Sequence, residues 1–90
     1  MGSQLDRDVQ EGELTIFGRF HAQAGREADV AAAIAEVVPQ TRAEPDCLGI
    51  AAYRSATDER LFFIHSRWTR EAAFEVHAAL PHTVAFLARV

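Results

Sequence analysis

Apolar and polar side chains alternate from Leu14 onward: Leu14, Ile16 and Phe20 recur with period two, which predicts a strand over 14–22 with Phe17 on its opposite face. Gly25 marks a turn. The period then lengthens, and Val30, Ile34, Val37 and Thr41 fall at helical spacing through an alanine-rich run. Pro39 lacks the amide proton that would bond the Ala35 carbonyl, so the regular helix is expected to kink or end there. Glu44-Pro45-Asp46 breaks it. A second strand with Ile50 and Tyr53 is predicted over 48–55, and Thr57-Asp58-Glu59-Arg60 forms a turn. Residues 61–68 read as a third strand, followed by a helix over 70–79 with Ala73, Phe74, His77 and Leu80 on one side. Pro81 suits the first position of a last helical segment that carries Val84, Phe86 and Leu87.

The order β-α-β-β-α predicts an α+β fold, a ferredoxin-like split βαβ with an antiparallel sheet. One domain is expected over 14–90, behind a polar, acidic, flexible tail at 1–13. The third strand has Phe62 and Ile64 on one side and Leu61 and Phe63 on the other, yet helices of this plan cover only one face. A second copy of the sheet is the simplest cover for the other face, which predicts a two-fold homodimer.

Composition narrows the chemistry. At 90 residues the chain is one small domain, and 49% apolar content is rich for that size. A net charge of −4 gives no basic field for a nucleic-acid backbone. Residues 1–13 contain no apolar core, so neither a signal peptide nor a membrane anchor is expected there. Lysine and asparagine are absent, which removes Schiff-base chemistry and any asparagine amide from a site. The single Cys47 allows no intrachain disulfide and is best read as a small buried hydrophobe, with a reducing cytoplasm as the default location. Four histidines at no tight spacing make a poor case for a metal, and none is expected.

Two segments carry the candidate chemistry: Ser66-Arg67-Trp68 leading into the helix with His77 and then Pro81-His82, and Thr41 to Gly49 upstream. Trp68 shares strand parity with Phe62, Ile64 and Ser66, so it is either core packing or a platform for a flat ring. His77 lies on the apolar side of its helix, as a structural histidine or as a base, since an imidazole with an ordinary pKa near ~6.5 can accept a proton at neutral pH. His82 either caps its helix locally or lines a cavity mouth, while His65 and Arg67 point to the opposite face and His21 is expected to be exposed.

In order and spacing, residues 14–90 resemble the antibiotic biosynthesis monooxygenase family. That resemblance implies a small dimeric α+β barrel whose pocket lies between sheet and helices, and it implies a further strand after the last helix, which the residues up to Val90 do not include. It further implies oxidation of a quinol- or anthrone-like aromatic by O2, without a cofactor. His77 and Trp68 would be catalytic, and Phe62, Ile64, Ser66, Phe74, His82 and Phe86 would hold the substrate. The chain departs from the family pattern at Ser66, where many relatives have glutamate, and at Pro45-Asp46-Cys47, where they read Pro-Gly-Cys. Heme-degrading relatives use an asparagine on the first strand and a histidine well along the last helix, and neither is present. The missing asparagine also removes the amide that helps hold the deprotonated substrate in the anthrone oxidases, leaving His77 or His82 for that role. Two other functions stay open at this level: an isomerase or hydrolase acting on a small metabolite through pocket histidines, and a non-catalytic dimer that binds a small ligand.

Overall fold

The computed structural model describes residues 12–90. Elements follow in the order β1 (Leu14–His21), α1 (Glu27–Arg42), β2 (Cys47–Arg54), β3 (Leu61–Trp68), α2 (Glu71–Ala79) and α3 (Pro81–Arg89). The α+β plan is therefore as the residue pattern predicts. Of the tail expected at 1–13, residues 1–11 lie outside those described, while the Glu13 carboxylate accepts from the Arg67 guanidinium at 2.7 Å.

The sheet has the order β1-β3-β2, with both pairs antiparallel. This is the split βαβ arrangement without a strand on the outer side of β1 among the described residues. In the β1–β3 register Leu14 faces Trp68, Ile16 faces Ser66, Gly18 faces Ile64 and Phe20 faces Phe62, so strict alternation puts all eight on one side. Strand β2 reaches that side differently. Cys47 pairs with Trp68 and Gly49 with Arg67, leaving Leu48 as an extra residue in the ladder. Simple alternation would set Cys47 and Ile50 on opposite faces; the bulge turns both toward the side of Trp68 and Ser66.

Of the kink or end expected at Pro39, the end does not occur: helix α1 runs its full 16 residues through it. Proline's locked φ is itself helical, so what is lost is one bond to the Ala35 carbonyl. Packing outweighs that loss: Val30, Ala33, Ile34, Val37 and Thr41 are all buried, on both sides of the proline. The Ala43 N–H then donates to the Pro39 carbonyl at 3.2 Å.

Ala22, Val30, Ala33, Ile34, Val37, Phe62 and Phe86 make one core between the sheet and the helices. Phe20 meets Phe86 edge-on at 5.5 Å, a favoured arrangement for two rings. Leu80 is extended (φ −70°, ψ 148°) and breaks the chain between α2 and α3, with Pro81 opening the new helix. That corner brings the end of α2 against the start of α3. The outer face of the sheet is different, since Phe17 is 77% exposed and stacks on His65 at 4.7 Å, and Tyr53 is also exposed. No helix among the described residues is long and apolar enough to cross a membrane.

Candidate active site

A cavity of about 150 Å³ lies between the inner face of the sheet and the three helices. Ile16, Gly18, Ile50, Ile64 and Ser66 form its sheet wall, and Val37, Thr41, Phe74, His77, Thr83 and Phe86 face them from the helices. Leu87 also lines it and is 55% exposed, so the cavity reaches the surface there. A Cβ at Gly18 would stand 3.0 Å from the Phe20 ring, so a larger residue there would need that ring to shift by a few tenths of an ångström. No arginine and a single histidine line the cavity among the described residues.

His77 is the one ionisable side chain of this wall among the described residues. Its Nδ1 lies 2.8 Å from Glu44 Oε2, and the side chains are only 12% and 10% exposed. A carboxylate can only accept, so opposite it a neutral His77 ring donates from Nδ1–H and keeps its lone pair on Nε2, which has no hydrogen bond to a described residue. His82 comes from the first turn of α3 and places its Nε2 2.7 Å from the same Glu44 Oε2. The Thr83 hydroxyl lies 3.2 Å from His77 Nδ1.

Glu44 itself is held by the link between α1 and β2. Its N–H donates to the Thr41 carbonyl at 3.0 Å and its own carbonyl accepts from the Cys47 N–H at 3.1 Å. The next loop is tied down at Asp46, which receives the Thr69 N–H on its carbonyl at 3.1 Å and the Thr69 hydroxyl on its carboxylate at 3.2 Å. Burial pushes the neighbouring Cys47 thiol above its ordinary pKa, in part offset by the Gly49 amide.

Trp68 stands behind this wall and not in it. It is 1% exposed, its ring lies 4.5 Å from His77 and 5.9 Å from Phe74, and its indole N–H donates to Ser66 Oγ at 2.9 Å. The serine that departs from the family pattern thus serves as the indole's partner. Of the other residues predicted to hold substrate, Ile64, Ser66, Phe74 and Phe86 line the cavity. Phe62 belongs to the core beside Val30 and Ile34, and His82 meets the site through Glu44. His21 pairs with Asp58 at the surface, well away from the cavity. Glu44, Thr41 and Thr83 are the site residues that sequence reasoning did not select. Thr41 is 1% exposed and its hydroxyl has no hydrogen-bond partner among the described residues.

The model of the antibiotic biosynthesis monooxygenase family matches residues 14–89. The chain belongs to that family. Solved structures agree with this antibiotic biosynthesis monooxygenase fold. The Pseudomonas aeruginosa protein PA3566 is 26% identical, superposes with a TM-score of 0.82, and is matched over 87% of this chain and 79% of its own. The Mycobacterium tuberculosis protein Rv0793 is 23% identical, with a TM-score of 0.81 over the same shares of the two chains. A third structure, of an antibiotic biosynthesis monooxygenase, is 23% identical with a TM-score of 0.79, over 82% of this chain and 78% of its own. At these identities the last two speak for the fold alone. No curated protein matches this chain.

Proposed function

We propose that this family member is a cofactor-independent monooxygenase that oxidises a single-ring quinol with O2. The observation that carries the reading is the apolar cavity of about 150 Å³ with His77 in its wall, one ring nitrogen tied to Glu44 and the other free. A dry apolar cavity of ~150 Å³ in another protein holds benzene, so one aromatic ring fits this volume and a three-ring anthrone exceeds it. The lining also argues against a small polar metabolite, which would call for several converging cations.

The reaction begins when His77 Nε2 accepts a phenolic proton, with Glu44 holding the ring in the required tautomer. The phenolate gives one electron to O2, and the resulting radicals combine at a ring carbon to form a hydroperoxide that takes the proton back from the imidazolium. Loss of the C–H proton then breaks the O–O bond and expels water. Hydroquinone and O2 thereby give a hydroxyquinone and water, with all four electrons taken by O2. The apolar wall contributes orientation and exclusion of water.

Oxygen uptake by purified protein against a panel of hydroquinones and anthrones, with and without added flavin or metal, tests the proposal. Uptake is expected with substituted hydroquinones, without additives, and with little response to anthrones. Uptake only with flavin, or none with any hydroquinone, would overturn it.

A further inference from the structure

We infer that Glu44, His77 and His82 form a binding site for a divalent transition-metal ion of the zinc class. Three separate elements deliver these side chains: the loop after α1, the end of α2 and the first turn of α3. Their side chains are 10%, 12% and 20% exposed, and Glu44 Oε2, His77 Nδ1 and His82 Nε2 all lie within 4.8 Å of one another. Two imidazoles and one carboxylate are ligands suited to zinc, cobalt, nickel or ferrous ions. Oxygen and nitrogen ligands at ~2.1 Å in a tetrahedral site stand roughly 3.4 Å apart. The two contacts of 2.8 and 2.7 Å therefore need to open by well under about 1 Å, and the two imidazole nitrogens, within 4.8 Å of each other, need to close toward the same spacing, both by side-chain rotation. Three protein ligands leave a further position for water.

Charge and proton accounting are consistent with this. One carboxylate with two neutral imidazoles leaves a bound dication with a net charge of about +1. The metal takes the lone pairs of Nδ1 on His77 and Nε2 on His82, so each ring's proton passes through water to its other nitrogen. His77 then presents Nε2–H to the cavity as a donor in place of an acceptor. Occupancy by a metal would thus switch off the proton-accepting role proposed above, although the site itself stands on geometry independent of that role.

The test uses the tag-free full chain, stripped with a chelator. Zn2+ is titrated by calorimetry and Co2+ is followed by its visible absorption. One ion per chain is expected, with binding weaker at pH 5, where protons compete for the imidazoles. His82→Ala and Glu44→Gln should each weaken binding by roughly 100-fold. Circular dichroism verifies that each variant is folded, and His82→Ala, the less buried position, serves if Glu44→Gln does not fold. No saturable binding of either metal at millimolar concentration, or an unchanged affinity in folded His82→Ala, would show a hydrogen-bonded knot only and overturn the inference. Oxygen uptake plays no part in the readout, so failure here is distinguishable from failure of the monooxygenase reading.

Discussion

Glu44 Oε2 accepts a hydrogen bond from His77 Nδ1 at 2.8 Å, across 33 residues of sequence, at the only histidine in the cavity wall among the described residues. This contact fixes which ring nitrogen is free. In Glu44→Gln the amide can turn its NH2 toward the ring and select the opposite tautomer, placing the proton on Nε2. The rate of oxygen uptake is expected to fall by roughly 10-fold or more, with KM little changed. His77→Ala should lose roughly 10²-fold or more, the usual range for removing a general base, with folding retained. Equal activity in His77→Ala would remove this residue from the mechanism.

The indole N–H of Trp68 has one partner, Ser66 Oγ, in a place with 1% exposure. Ser66→Ala leaves that donor buried and unsatisfied, which costs about 1–3 kcal/mol. Urea unfolding followed by Trp68 fluorescence should show the loss. A midpoint equal to that of the parent protein would mean that the indole finds water, and that its bond to the serine is dispensable.

Thr41 gives the opposite sign. Its buried hydroxyl has no partner among the described residues, and valine keeps nearly the same shape while removing the unsatisfied group. Thr41→Val is expected to raise stability by about 1 kcal/mol in the same unfolding experiment. A decrease would reveal a ligand or water held by the hydroxyl.

Much of the fold was legible because alternation and helical spacing are written in single residues. Val30, Ile34, Val37 and Thr41 were readable as one buried stripe, and the parity of Phe62, Ile64, Ser66 and Trp68 as one sheet face. Pro39 does not end its helix, because burial on both sides of it outweighs the local chemistry, and that packing is not written in the residue itself. The bulge at Leu48 was invisible for a related reason: an extra residue in one strand shows only against its partner. In the site, His77 was legible from the apolar side of its helix. Glu44 was not, because beside Pro45 and Asp46 it reads as part of a polar helix stop, and its partners lie 33 and 38 residues away. For Trp68 the strand parity gives the face and leaves core packing and a ring platform both open, since parity says nothing about which rings stand in front; at 1% exposure it is packed behind the wall.

Cys47 offers a test by pH. Burial disfavours the thiolate and raises the thiol pKa above its ordinary 9.0. At pH 8 the folded protein therefore holds less thiolate than an unfolded chain, and alkylation by iodoacetamide should be slower than in denaturant. Raising the pH should speed it, with a midpoint above 9.0. A midpoint at or below that value would place the thiol in a more polar setting than its position at the start of β2 suggests.

Phe17 tests the proposal that two copies associate through the open face of the sheet. Its ring is 77% exposed and stacked on His65, in a strand whose other face is covered by helices. A ring this large is not stabilised by water, and Tyr53 on the far strand adds to the same uncovered side. Phe17 has Thr15 and Arg19 as face-mates on β1, so the patch is rimmed by polar groups that would meet their counterparts across a two-fold axis. A stable dimer buries ~800 Å² per partner, an area that a three-stranded face can provide. Sedimentation equilibrium is expected to show a dimer at micromolar concentration, and Phe17→Glu should weaken it by at least about 10-fold by setting a charge in the centre of the contact. A monomer at that concentration, or a dimer indifferent to Phe17→Glu, would mean that this face has another occupant or none.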